Sequence, residues 1–145
     1  MRYYSESEYS IFHGTPYSAG LDLPFYDVLC PAVVIQPHTR ASLLTGVHVE
    51  IPEGHFGLVD SRSSTSKLEL MLLCHTIDSD FRGNIRLVFQ NVGQSPVTVK
   101  RGDYLAQLIL VPYKYQEPLE RVSSVSQLSS TTRGAQGFGS TTKRR

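Results

Sequence analysis

NIRLVFQNV, residues 84–92, sets apolar Ile85, Leu87 and Phe89 on every second position, with Arg86 and Val88 between them and Gln90 after them. That period puts the apolar set on one face of an extended chain, whereas a helix would need apolar residues three and four apart. The same alternation recurs outward in both directions: VVIQ at 33–36, SLLTGVHVEI at 42–51, GHFGLVDS at 54–61 and VTVK at 97–100. YLAQLILVPY at 104–113 is a more continuous apolar run. IPEG, DFRG, NVGQSP and KRGD supply turn chemistry between these segments. LERVSSVSQL at 119–128 steps apolar residues by three, but its serines and valines are poor helix formers. Many short strands and no useful helix predict an all-β domain, a barrel or double-sheet jelly roll.

The 145 residues fit one domain with a core that needs no covalent staple. Cys30 and Cys74 lie far apart among apolar neighbours and are expected to be free, buried thiols. The five histidines, at 13, 38, 48, 55 and 75, show no metal-ligand spacing. After Pro118 the composition turns polar, and SSVSQLSSTT at 123–132 reads as a tether. The expected organisation is a β-domain over 1–118 and a flexible C-terminal arm over 119–145, long enough to reach a neighbouring subunit.

The formal charge is +1, and removing Lys143, Arg144 and Arg145 leaves 11 basic against 13 acidic side chains. A terminal concentration of cations without a basic stripe argues against a nucleic-acid-binding domain. No apolar run approaches a membrane span and the N-terminus has no secretory core, so a soluble intracellular protein is expected, cytoplasmic or nuclear.

Four stretches carry candidate chemistry. RGAQGFGSTTKRR at 133–145 combines glycines, hydroxyls, Arg133 and the ring of Phe138. It fits a phosphate cradle or a solvated tail. A nucleotide P-loop fails there, because Ser140 takes the lysine position and no strand feeds the loop. DSRSSTSK at 60–67 offers Arg62, Ser63 and Ser64 to a phosphate, or else is a plain turn. TIDSDFRGN at 76–84 sets Asp78 and Asp80 two apart on a strand end, pointing the same way. One carboxylate would then orient a water while a cation such as Arg82 holds the other, the alternative being an acidic turn. Gln107, inside KRGDYLAQLIL at 100–110, is an amide among apolar neighbours that needs partners.

With SAGLDL at 18–23 these pieces stand in a telling order. SAGLDL, SRSS, IDSDFRGN, GDYLAQLIL and RGAQGFGST resemble the five motifs of the trimeric deoxyuridine triphosphatase (dUTPase) family, which includes divergent viral members. TGVHVEIPEGHFG at 45–57 resembles the family's stretch before the second motif, so the likeness runs from Ser18 to Thr141.

The resemblance implies a dUTPase-like β-clip, a distorted jelly-roll barrel, assembled as a homotrimer whose active sites draw on all three subunits. It implies hydrolysis of dUTP to dUMP and pyrophosphate with Mg²⁺, without stable binding to nucleic acid or membrane. Asp78 would be the base for the attacking water, and Asp22 would hold the metal largely through water. Arg62, Ser63, Ser64 and Gln107 would grip phosphates from the body. Arg133, Gly139, Ser140 and Thr141 would close from the arm, with Phe138 stacked on uracil. Phe81 stands where the family usually has Tyr, as the platform under the deoxyribose. His75 replaces a common glycine in the hairpin that reads uracil, while Ser61 and Ser64 replace a common Pro and Gly.

Two other readings follow from the same likeness. A dCTP deaminase needs a proton-shuttling carboxylate at the position of Val88, which a valine cannot supply. A catalytically inactive interaction protein on the dUTPase scaffold would have no need to keep Asp78 and the phosphate-contacting positions.

Overall fold

The computed structural model describes residues 1–114 and 118–135. The chain divides into two compact units, Met1–Lys114 and Tyr115–Arg145. The first unit carries β1 (Arg2–Ser5), β2 (Phe12–His13), β3 (Leu21–Pro24), β4 (Ala32–Ile35), β5 (Arg40–Leu44) and β6 (Val47–Glu50). β7 (His55–Ser61), β8 (Leu70–Leu72), β9 (Thr76–Ile77), β10 (Arg86–Asn91), β11 (Val97–Lys100) and β12 (Tyr104–Pro112) complete it. A single 3-10 turn, Thr65–Leu68, interrupts them, and no α-helix occurs among the described residues.

All strand pairs are antiparallel, in four small sheets ordered β1-β6, β5-β10-β8, β11-β4 and β2-β3-β12-β7-β9. The non-sequential order is that of an all-β, jelly-roll-like fold. The alternation read in the sequence becomes alternate burial: along β10, Leu87, Phe89 and Asn91 point inward. They meet Leu43, Val47, Val59 and Leu108 from neighbouring strands in one core. Each such fully buried Leu or Phe contributes roughly 1.5–3 kcal/mol of burial free energy.

Asn91 is the polar exception. Its Nδ2 donates to the carbonyls of Ile35 (2.9 Å) and Ser95 (2.8 Å), and its Oδ1 accepts from Gly93 N (2.9 Å). One amide therefore closes the NVGQSP turn and ties it to β4.

The predicted ribbon 42–51 is two strands. Thr45 N and Gly46 N both donate to Asn84 Oδ1 at 3.2 Å, which turns the chain between β5 and β6. Gly46 has φ +68°, and a Cβ there would stand 2.8 Å from the Tyr26 ring, so this corner requires glycine.

The cysteines are free, as expected, but not buried: Cys30 is half-buried and Cys74 exposed. Around Cys30 the apolar neighbours are themselves exposed, Val28 and Leu29 among them, whereas Cys74 follows the buried Leu72 but falls just past the end of β8.

In the second unit, Ser124 caps a 3-10 turn over Val125–Gln127 with a reciprocal capping box. LERVSSVSQL thus yields one short turn rather than a helix. Arg133 sits in the Thr131–Gly134 turn, where Gly134 N donates to Thr131 O at 3.1 Å. Phe138, Gly139, Ser140 and Thr141 lie outside the described residues.

Candidate functional site

Two recesses on the first unit gather the body residues singled out by sequence, and they share no lining residue. The smaller, about 170 Å³, is walled by Asp22, Arg62, Ser63 and Gln107 together with Gly14 and Gly20. The sheet order explains the convergence. β12 lies between β3 and β7, so Gln107 is directly across from Asp22 on one side and Asp60 on the other. The turn after β7 then folds over the same edge.

That turn is anchored by one carbonyl. Leu105 O accepts from Arg62 N (3.1 Å) and from the buried hydroxyl of Thr65 (2.6 Å). Ser63 and Ser64 are left exposed, Ser63 on the recess wall and Ser64 outside it, at the start of the 3-10 turn. The Arg62 guanidinium donates through Nη1 to Tyr104 O (3.0 Å) and stands 3.0 Å from Asp22 Oδ2 through Nη2. Asp22 is buried, and its Oδ2 has no hydrogen-bond donor. Burial pushes the nearby Tyr104 phenol above its ordinary pKa, with the Asp22 charge acting in the same direction. Gln107 Nε2 reaches Ser61 O only at 3.5 Å, so the amide is largely available to a ligand. Gly20 lies against it: a Cβ on Gly20 would stand 2.8 Å from Gln107 Cβ.

The larger recess, about 370 Å³, opens where a ladder stops. β8 pairs with β10 from Leu70↔Asn91 to Leu72↔Phe89, and Leu73 N extends this to Val88 O at 2.8 Å. Beyond that bond the arms part, because β9 joins β7 instead, through Gly57↔Ile77 and Leu58↔Thr76. Cys74 and Asp78 from one arm, Asn84, Arg86 and Val88 from the other, and Phe81 from the turn that joins them line the recess.

His75 lies within the parting but does not line the recess. Its carbonyl accepts from Val59 N (2.7 Å) and its Nδ1 meets Val59 O at 3.0 Å, so the ring is strapped to β7. Its φ is not positive, so no glycine is required there. The substitution leaves the recess clear.

The turn after β9 departs from the sequence expectation. Asp78 and Asp80 do not point the same way: Asp78 lines the recess beside Phe81, and Asp80 lines a separate one beside Arg2 and Glu50. The strand ends at Ile77, and Phe81 N bonds Asp78 O (3.1 Å), so period-two geometry no longer applies. Arg82 pairs with neither carboxylate. Its Nη1 donates to the carbonyls of Ser79 (2.7 Å) and Phe81 (2.9 Å), stapling the turn instead. Phe81 is 40% exposed and rests over Gly83, where a Cβ would stand 2.6 Å from the ring.

Sequence reasoning assigned no role to Gly20, Thr65, Cys74 or Asn84. Gly20 and Asn84 lie inside quoted motifs, SAGLDL and IDSDFRGN, whereas nothing local marks Thr65 or Cys74. Among the described residues no three His, Cys, Asp or Glu side chains cluster to hold a metal ion. The buried oxygen of Asp22 that accepts no hydrogen bond fits the role of acceptor for the water shell of a cation whose ligands are phosphate oxygens and water. No helix among the described residues is long and apolar enough to cross a membrane.

The chain that folds into this antiparallel scaffold matches the dUTPase family model over residues 8–142. The chain belongs to the dUTPase family. It is 37% identical over 134 residues to the deoxyuridine 5'-triphosphate nucleotidohydrolase of Anaplasma marginale, covering 89% of this chain and 86% of that protein. It is 38% identical over 132 residues to the enzyme of the same name from Escherichia phage T5, covering 88% and 87%. Among solved structures it resembles the Staphylococcus bacteriophage 80alpha dUTPase with dUpNHpp, at TM-score 0.80 and 25% identity over 98% of each chain.

Proposed function

We propose that this chain is a dUTP diphosphatase, in which Asp78 orients and deprotonates a water that attacks the α-phosphorus of dUTP. The new bond joins the water oxygen to the α-phosphorus. The bond to the bridging oxygen of the β-phosphate breaks, dUMP and pyrophosphate leave, and the proton passes to the carboxylate. The observation that carries the reading is the open end of the β8/β10 ladder, which sets Asp78 and Phe81 on one recess. Among the described residues the Asp78 carboxylate has no hydrogen bond or ion pair to commit it elsewhere.

Arg62, Ser63 and Gln107 would bind phosphate oxygens in the other recess, with Ser64 at its margin. Mg²⁺, when bound, would draw the phosphate oxygens together and offset their charge, and Asp22 would hold it through water. On the family likeness, a triphosphate that meets both recesses would bridge two copies of the chain, as in a homotrimer with shared sites. Arg133, Phe138, Gly139, Ser140 and Thr141, on an arm spanning 119–145, would close the site from a third. Fixing about ten arm residues costs roughly 10–20 kcal/mol of backbone entropy. A ring stack worth ~1–3 kcal/mol and charged hydrogen bonds worth ~1.5–3 kcal/mol each offset that only when a triphosphate is present.

Val88 lies on the recess wall where deamination would need a carboxylate, which favours hydrolysis alone. The test is pyrophosphate release from dUTP with Mg²⁺, compared with dCTP and with Asp78→Asn. The variant is expected to lose ~10²–10⁴-fold in kcat, the usual worth of a positioned base, while binding dUpNHpp normally. Full turnover by the variant would refute the mechanism, and no turnover by the wild type would favour an inactive scaffold.

A further inference from the structure

His48 lies on β6, away from both recesses, yet it touches the loop that carries Asp78 and Phe81. Its Nδ1 is 2.9 Å from Arg82 O and its Nε2 is 2.7 Å from Glu6 Oε1. Both partners are acceptors, and a neutral imidazole has only one N–H, so the cationic ring alone satisfies both. Glu6 Oε1 also accepts from Asn84 Nδ2 at 3.3 Å, and Asn84 Oδ1 in turn holds the β5–β6 corner. One carboxylate near the N-terminus therefore grips both ends of Arg82–Asn84. The loop's other contacts are its own staples from Arg82 to Ser79 and Phe81.

We infer that the Glu6–His48 ion pair is a positioning device that sets the Asp78–Asn84 loop, and through it the Phe81 platform, in a proton-dependent way. The charged and titratable groups around the ring are Glu6, the Tyr3 and Tyr4 rings, Arg82, and the Arg2–Glu50 pair across the groove. Arg2 and Glu50 satisfy each other, which leaves Glu6 to act on the histidine. The bond to Glu6, then the bond to the Arg82 carbonyl, raises the His48 pKa, against a smaller opposing effect of burial. A raised histidine pKa gives support that is complete below the unfolded value of 6.5 and fades as pH climbs through the folded value. One of the two bonds then lapses. Neither Glu6 nor His48 lines either recess, so neither is a catalytic residue.

The inference rests on the proposed dUTP hydrolysis only for its kinetic consequence, so two readouts separate them. NMR titration of the His48 ring is expected to give a pKa above 6.5 in the wild type and a lower one in Glu6→Gln, with the Phe81 ring protons moving at the same midpoint. KM for dUTP in the wild type should rise about threefold across that midpoint with kcat changing less, and Glu6→Gln and His48→Gln should lack this step, as expected for one hydrogen bond that acts on the nucleotide only through the loop. A midpoint at or below 6.5, Phe81 signals that ignore it, or variants that keep the step in KM would each overturn the inference. Glu6→Asp, which keeps the charge, should retain the raised midpoint and so separates lost charge from lost folding. Absence of dUTP turnover would defeat the proposed function yet leave both NMR outcomes to be read.

Discussion

Arg62 Nη2 stands 3.0 Å from Asp22 Oδ2, close enough for an ion pair, yet that oxygen accepts no hydrogen bond. The directional bond of the guanidinium goes through Nη1 to Tyr104 O instead. The attraction is therefore one of charge without alignment, which leaves both groups the capacity that the proposed triphosphate and cation would use.

Asp22→Asn tests that division. The variant is expected to bind dUpNHpp about 10–100-fold more weakly in Mg²⁺, the worth of lost bonds to a charged group. In chelator its affinity should match or exceed the wild type, because Arg62 is released. Calorimetry under both conditions checks it, and equal weakening in each would assign Asp22 a purely structural part.

Gly20→Ala should act through Gln107. The added methyl would meet the Gln107 side chain, and the amide must swing away or the β3–β12 pair must spread. Overpacking of this sort costs roughly 1–3 kcal/mol. Urea titration should show that loss, and KM for dUTP should rise. Gln107→Ala made in the same chain should restore most of the stability and none of the affinity.

Phe81 offers a ring without a hydroxyl, so on the proposed reading discrimination against UTP survives here if it is steric. Phe81→Tyr is expected to leave the dUTP-to-UTP ratio of kcat/KM within about threefold, on the order of one marginal hydrogen bond. Gly83→Ala, which pushes on the ring at 2.6 Å, should lower that ratio much further. Turnover of both nucleotides by each variant decides between the two.

Asn91→Leu separates fold from site. It keeps the volume near β4 but leaves the carbonyls of Ile35 and Ser95 and the N–H of Gly93 without the partner they have now. A loss of about 2–5 kcal/mol is expected from several unsatisfied buried groups. Thermal unfolding measures it, while dUTP turnover below the transition should remain near the wild-type value.

Legibility followed the range of the interaction. Val97–Lys100 coincides with the predicted VTVK because its pattern is local and one-sided. β1 is mostly exposed along its length and shows no alternation, and only its pairing with β6, more than forty residues on, makes it a strand. At Thr45–Gly46 the glycine marks where the chain can turn, but the acceptor that fixes the break, Asn84, lies far along the chain. The site divides likewise. Residue types pointed to Arg62, Asp78 and Gln107, and the family resemblance to Asp22, but neither to the separation of Asp78 from Asp80 nor to the carbonyls that occupy Arg82, which depend on where a two-residue strand stops.

The ladder that ends at Leu73 and Val88 sets the protein's chemistry against its durability. Every further rung zipped between the two arms would strengthen the sheet and shrink the slot beside Asp78. Selection for heat resistance alone, blind to turnover, should therefore enrich substitutions along Cys74–Asp78 and Asn84–Val88 that seal the seam, and yield sturdier molecules with no room for a nucleoside.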